Sequence, residues 1–126
     1  MSLRYVRLPQ QDKEHLIRLK TKAGINQWNV LCRWALAVSL REATPITPLD
    51  LPADSNVEMT WEVFGGEHAD LWLAVLRERC KDDGLPTDDE TLAKQLRLHL
   101  HRGINYLFAA GAMRNLPDLC EKAFVV

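Results

Sequence analysis

The sequence predicts a mainly α-helical fold, with a short N-terminal strand, a helical hairpin, and a C-terminal set of helices containing at most one or two short strands. Three observations support this prediction. Leucines recur at helical spacing, helix-capping residues stand at the ends of those segments, and three prolines fall in one loop between them. The length of 126 residues suits one domain, so we expect a single domain over residues 1–126.

The first part of the chain predicts a strand followed by a helix. Residues 3–8 are short and rich in strand-forming side chains, and Pro9 suits the first turn of the helix that follows. This helix is expected over residues 9–23, because Gly24 can take the left-handed conformation that ends helices. Its buried stripe consists of Leu16, Leu19 and Ala23.

A second helix is expected over residues 26–42, with Asn26 as its N-cap. Between Trp28 and Leu40 its only charged residue is Arg33, which lies on a narrow polar stripe of an otherwise apolar cylinder. Such a helix must be covered on nearly every side. Two interpretations are open: the helix forms an oligomer interface, or it is a central core helix wrapped by its own chain.

A Pro-rich loop over residues 44–56 separates this hairpin from the rest of the chain. Residues 57–64 then alternate between apolar and polar side chains, which predicts a half-buried strand. After two glycines, a helix is expected over residues 67–82, ending at Gly84.

The longest helix is predicted near the C-terminus. Residues 87–90 form a capping box, with Thr87 at the cap and Glu90 three residues later. The helix is expected over residues 88–110, and a short terminal helix is expected after Pro117. Its predicted buried residues are Leu92, Leu96, Leu100, Ile104 and Leu107.

No combination of residues indicates a catalytic site, so we expect neither enzymatic activity nor a metal or other cofactor. Helix capping explains the acids at 88–90. His99 and His101 point about 200° apart on a helix and cannot share a metal ion. One is expected to be a packing histidine; a joint role of His101 and Arg102 at an anion or partner surface is the alternative. Cys32 is expected to be a small buried hydrophobe.

The expected compartment is the cytoplasm. The three cysteines are far apart and odd in number, which is typical of a reduced protein rather than of a disulfide framework. No apolar run reaches the roughly 20 residues that are needed to span a bilayer, so no membrane partner is expected.

The nearly neutral total of 16 basic and 17 acidic residues hides two oppositely charged segments. Residues 1–43 carry eight basic and three acidic residues, a net charge of +5. The rest of the chain carries eight basic and fourteen acidic residues, a net charge of −6. Such asymmetry indicates a surface for a polyanion, with a solvated helix face as the alternative.

The order strand, helix, Gly-x-Asn turn, helix is that of the ribbon-helix-helix DNA binders. In that class the short strand pairs with the strand of a dimer mate, and the resulting ribbon enters the major groove of DNA. Arg4 and Arg7 would lie on the strand here, and residues 22–26 fit the turn of the hairpin. The N-terminal segment is therefore predicted to be ribbon-helix-helix-like.

Three segments, in the right order, carry a more specific resemblance. They are residues 19–35, which include Lys-Thr-Lys-Ala-Gly-Ile-Asn-Gln-Trp, residues 60–67 (Thr-Trp-Glu-Val-Phe-Gly-Gly-Glu) and residues 99–104 (His-Leu-His-Arg-Gly-Ile). These segments resemble those of the DndE family, the small proteins of bacterial DNA phosphorothioation (DNA sulfur-modification) systems. The resemblance covers about residues 3–110.

This resemblance implies a cytoplasmic, mostly helical protein that acts with other proteins of the modification system. Those proteins replace a non-bridging phosphate oxygen of DNA by sulfur. The resemblance further implies a tetramer that binds duplex DNA with a preference for nicked duplex. It implies no settled catalytic activity and assigns no DNA-contacting positions.

The basic segment itself suggests which residues bind DNA. We hypothesise that its cations bind phosphates by counterion release, which gives affinity without sequence reading. The main expected contacts are Lys13, Arg18, Lys20 and Lys22, followed by Arg4 and Arg7, with Arg33 if its stripe opens onto the surface. Two further classes stay open: a ribbon-helix-helix regulator that reads an operator, and a scaffold whose basic face meets acidic proteins. A nicking enzyme is the least supported interpretation.

Overall fold

The computed structural model of the protein describes residues 5–24, 27–55 and 57–109. Its elements are β1 (Tyr5–Arg7), α1 (Gln10–Ala23), α2 (Trp28–Arg41), β2 (Glu58–Thr60), α3 (Trp61–Gly65), a 3-10 turn (Gly66–His68), α4 (Ala69–Asp82) and α5 (Asp89–Ala109). The predicted mainly helical class is confirmed. Arg4, Asn26 and the terminal helix expected after Pro117 lie outside the described residues.

The N-terminal strand finds its partner within the same chain. β1 pairs antiparallel with β2, with Val6 opposite Met59, and both side chains are buried. The Leu8 N–H extends the pairing by donating to the Val57 carbonyl at 3.1 Å. This arrangement differs from the ribbon-helix-helix class, in which the corresponding strand pairs with a dimer mate.

The strand predicted over residues 57–64 is wrong beyond Thr60. Thr60 accepts a hydrogen bond from the Val63 N–H at 3.1 Å and thereby caps α3. A side-chain cap satisfies one of the free N–H groups of a helix start, and this favours a helical turn over continued extension. The predicted alternation of burial holds through Trp61, whereas Val63 is exposed.

The helical hairpin agrees with the prediction except at the turn. α1 begins after Pro9 and ends at Gly24, whose φ of 71° is the left-handed conformation that glycine adopts without strain. Leu16 and Leu19 are buried, as predicted. α2 begins at Trp28 rather than at Asn26, because Gln27 still has an extended backbone and is the N-cap.

α2 is the central helix of the fold. The contact between α2 and α5 is the most extensive one between any two elements described, and α1 and α3 also contact α2. The two helices approach so closely that the Gly103 backbone lies directly against the Ala35 backbone. This supports the interpretation of α2 as a core helix wrapped by its own chain.

The last two helices follow the predicted pattern with shifted starts. The 3-10 turn delays α4 to Ala69. The cap of α5 is Asp88 rather than Thr87, because the Asp88 carboxylate accepts from the Thr91 N–H at 3.2 Å and from the Thr91 hydroxyl at 2.7 Å. All five residues predicted to be buried in α5 are buried.

Three arginines hold the Pro-rich loop, which has no helix or strand in its described residues 44–55. Arg79 on α4 donates to the carbonyls of Leu40, Glu42 and Thr44. On α5, Arg102 donates to the carbonyls of Ser39 and Thr44, and Arg97 donates to those of Leu51 and Pro52. These charge-assisted bonds to backbone carbonyls fix the loop against the helices.

Candidate nucleic-acid interface

α1 carries four of the predicted cations, and we call them the α1 cations: Lys13, Arg18, Lys20 and Lys22. Arg18 and Lys22 are exposed, whereas Lys13 and Lys20 are half-buried. Lys13 and Lys20 are seven residues apart, or about two helical turns, and therefore lie on the same face of α1. The only exposed acid on this helix is Glu14.

The second acid of α1 is removed from the surface. The Asp12 side chain is fully buried and lies 2.8 Å from Nδ1 of His101 on α5. Burial raises the pKa of the Asp12 carboxyl, and the charge and hydrogen bond of His101 act against that increase. Asp12 thus presents no carboxylate to an external anion, and the surface of α1 is more basic than its composition indicates.

Two of the α1 cations lie over aromatic rings. The Lys20 ammonium is 4.3 Å from the centroid of the Trp28 ring, and the Arg18 guanidinium is 5.8 Å from that of Phe108. Both distances are within the range of cation–π attraction. These contacts hold the two side chains near the body of the protein.

Two of the other predicted contacts, Arg7 and Arg33, lie outside α1 and bind groups of the protein. Arg7 forms an ion pair with Glu58, its Nε donating to Oε2 at 2.9 Å, so its charge is compensated. Arg33 donates to the carbonyl of Gly65 at 3.4 Å and thus lies against α3. Four of the seven predicted residues therefore lie on α1, with Lys13 and Lys20 on one face and Arg18 and Lys22 on another, whereas Arg4 lies outside the described residues.

A cleft of about 520 Å³ opens beside Lys13 of α1. Its walls come from α1, from the start of α2, and from β2 and α3. The described residues that line it are Lys13, Gln27, Trp28, Asn29, Val57, Glu58, Met59 and Val63. Asn29 is fixed in place because its Nδ2 donates to the Val63 carbonyl at 3.1 Å.

An apolar groove lies along another side of α2. Trp34 and Trp72 are its largest lining side chains, and both are half-buried. The complete set of described lining residues is Val30, Arg33, Trp34, Ala37, His68 and Trp72. α2 thus keeps part of its apolar surface accessible, although it is the core helix.

The histidines and the arginine of residues 99–102 on α5 bind groups of α1 and α2. His99 is the predicted packing histidine: it is fully buried, with Nδ1 2.8 Å from the Ser39 hydroxyl. Burial lowers the pKa of His99 to about 4, with smaller effects from Arg102 and Arg79 in the same direction. Arg102 donates from Nε to the Ser39 hydroxyl at 2.9 Å. Together with the His101–Asp12 contact, these bonds hold α5 to α1 and α2.

The structure locates the other chemically notable groups as follows. Burial raises the pKa of the Cys32 thiol to about 12, so this cysteine is the predicted buried hydrophobe. Within residues 5–24, 27–55 and 57–109, no three His, Cys, Asp or Glu side chains are grouped so that they could hold a metal ion. No helix in the described part of the chain is long and apolar enough to cross a membrane.

Comparisons with known proteins point in one direction. A family model described as "DNA sulphur modification protein DndE" matches residues 5–115. The sequence matches no curated protein. The fold is similar to a crystal structure of DndE from Escherichia coli B7A involved in DNA phosphorothioation modification, with a TM-score of 0.72 and 22% identity, covering 85% of this chain and 98% of that one. A DndE mutant involved in DNA phosphorothioation gives a TM-score of 0.66 at 22% identity, with coverages of 84% and 97%.

Proposed function

As the chain belongs to the DndE family of DNA sulphur modification proteins, with a role in DNA phosphorothioation, we propose that it is a DNA-binding accessory protein of that system. It binds duplex DNA, preferentially nicked duplex, through the α1 cations of an oligomer. It acts in the cytoplasm beside the other proteins of the system, without a catalytic step or cofactor of its own.

The arrangement of charge on α1 carries this proposal. Burial of Asp12 leaves Glu14 as the only exposed acid of α1, which carries four cations. Lysine and arginine side chains on one helix neutralise phosphates and release counterions, which gives affinity for any DNA sequence. Such contacts position a protein on the duplex without reading bases.

The apolar groove supports the oligomeric part of the proposal. Accessible tryptophans in a groove are typical of protein–protein contacts, and Leu71, on the same helix as Trp72, is 61% exposed. An oligomer would repeat the α1 cations and so gain avidity without new contacts. A rigid basic surface of several subunits would also favour nicked duplex, because a nick lowers the cost of bending DNA.

A salt series tests the choice of surface. Binding to intact and nicked duplexes is measured at increasing salt for the wild type, Lys20→Ala and Lys22→Ala. Each substitution should reduce the log–log salt slope by about one unit, because one phosphate contact is lost. Lys81→Ala removes an exposed lysine from α4 and serves as the matched control, with an unchanged slope.

Three outcomes of these measurements contradict parts of the proposal. Unchanged slopes for both α1 variants would show that another surface binds DNA. Discrimination of roughly 10³ or more between DNA sequences would instead support a regulator that reads an operator. A solution mass of one chain, 14.4 kDa, would contradict the oligomer.

A further inference from the structure

The cleft beside Lys13 has the size and chemistry of a nucleotide site. Its volume of about 520 Å³ lies within the ordinary range for small-molecule pockets. Trp28 supplies an aromatic wall, and the side-chain amides of Gln27 and Asn29 supply hydrogen-bonding groups next to it. Because Asn29 Nδ2 donates to the Val63 carbonyl, its Oδ1 is oriented and can accept a hydrogen bond.

The charges around the cleft suit an anionic ligand. Lys13 lines it, and the Lys20 ammonium lies 4.3 Å from the ring centroid of Trp28. The acid among the described lining residues is Glu58, and its carboxylate is paired with Arg7. A phosphate attached to a base at Trp28 would therefore meet two cations and a compensated carboxylate.

We propose that this cleft binds one unstacked nucleotide at the end of a DNA strand. The base contacts the part of the Trp28 ring that lines the cleft, and Lys20 covers one face of that ring. The edge of the base meets the amides of Gln27 and Asn29, and its phosphate lies toward Lys13 and Lys20. The inference rests on the DNA-binding role proposed above and adds a base contact to it. In an intact duplex the base must first be unpaired and unstacked, whereas a base at a strand end leaves the stack at lower cost. The cleft thus selects strand ends, such as those at a nick, by binding a base rather than by bending alone.

The test removes the base while leaving the phosphates in place. Affinity is measured for three duplexes: one intact, one nicked, and one nicked with an abasic terminal nucleotide. Stacking of a base on an aromatic side chain is strong enough that the abasic duplex should bind about tenfold more weakly than the nicked duplex. It should still bind better than the intact duplex, because the nick continues to lower the cost of bending.

Two charge-matched variants locate the effect. Gln27→Asp places a carboxylate at the cleft, and aspartate is a favourable N-cap for α2, so the fold is retained. This variant should lose the difference between the nicked and abasic duplexes. Thr21→Asp adds the same charge at an exposed position of α1 outside the cleft, and it should weaken binding to all three duplexes by the same factor.

The outcomes separate this inference from the proposed function. Equal affinity for the nicked and abasic duplexes, with a normal salt slope, would overturn the cleft assignment and leave DNA binding intact. Absence of binding to every duplex would overturn both. If free dAMP displaced nicked DNA as effectively as a DNA strand end does, the cleft would be a site for a free nucleotide, and the inference would be overturned. The inference would also be overturned if Gln27→Asp still bound the nicked duplex more tightly than the abasic one.

Discussion

Replacing Gly103 by alanine tests the closest contact between two helices of the fold. An added Cβ at this position would overlap the carbonyl group of Ala35 and lie 2.9 Å from its Cα. Ordinary contacts between carbon atoms are roughly 3.5–4.0 Å. α2 and α5 would therefore have to separate by about 1 Å, and the groups in contact are backbone, which cannot rotate away.

Two opposing effects determine the expected magnitude. Alanine is favoured over glycine within a helix by about 1 kcal/mol. Overpacking of a core costs about 1–3 kcal/mol, and the upper end applies because the whole α2–α5 interface must open. Gly103→Ala should therefore lower the free energy of unfolding by about 2 kcal/mol, although alanine has the higher helix propensity.

Urea denaturation measures this loss. With a slope of about 2 kcal/mol per molar urea, the midpoint of unfolding should fall by about 1 M. Ala74→Gly, at an exposed position of α4, is the control that measures the propensity effect alone. Ala35→Gly should not rescue Gly103→Ala, because the obstructing atoms are backbone. A midpoint for Gly103→Ala at or above that of the wild type would refute the close approach.

Two further predictions concern buried polar groups. Burial lowers the pKa of His99 to about 4, so between pH 6.5 and 4 the unfolded chain binds more protons and stability falls as the pH falls. The wild type should lose about 2 kcal/mol between pH 7 and 5 through this group, and His99→Gln should lose correspondingly less; equal losses in urea titrations would contradict the assignment. Arg79→Lys keeps the charge but cannot serve three carbonyls, those of Leu40, Glu42 and Thr44 at the end of α2 and the start of the loop, so limited proteolysis should cut residues 44–55 faster and stability should fall by about 2 kcal/mol. Arg77→Lys, at an exposed position, is its control, and an unchanged rate of cleavage for Arg79→Lys would show that other contacts hold the loop.

The sequence was sufficient for features that depend on local patterns. The leucine spacing of α5 identified its buried face because a helix repeats every 3.6 residues whatever packs against it. Gly24 marked the end of α1 because few residues other than glycine adopt a positive φ easily. The loop over residues 44–56 followed from its prolines, which remove backbone donors.

Features that depend on distant residues were not predictable in the same way. The partner of β1 is β2, more than fifty residues away, and a three-residue strand carries no signal for its partner. The burial of Asp12 requires His101, 89 residues later. Formal charge counting therefore underestimated how basic the surface of α1 is.

The basic residues of the second half of the chain also have contacts that the local sequence does not reveal. By composition, Arg79, Arg97 and Arg102 belong to the acidic segment and are candidates for surface charge. The structure instead uses each of them to bind backbone carbonyls of the Pro-rich loop and its flanks. A guanidinium can serve several carbonyls at once, but nothing in the local sequence distinguishes such an arginine from an exposed one.

Two of the segments that resemble the DndE family have different roles. One holds the helices together, and the other supplies residues of the candidate DNA interface. In residues 99–104, His99 binds Ser39, Arg102 binds the chain near the loop, and Gly103 permits the α2–α5 contact. Residues 19–35 instead supply two of the α1 cations and the aromatic wall of the cleft. Substitutions in the first set should therefore weaken DNA binding only by lowering the folded fraction, with an unchanged salt slope. Substitutions of the α1 cations should change the slope at full stability, so the two measurements together distinguish the scaffold from the interface.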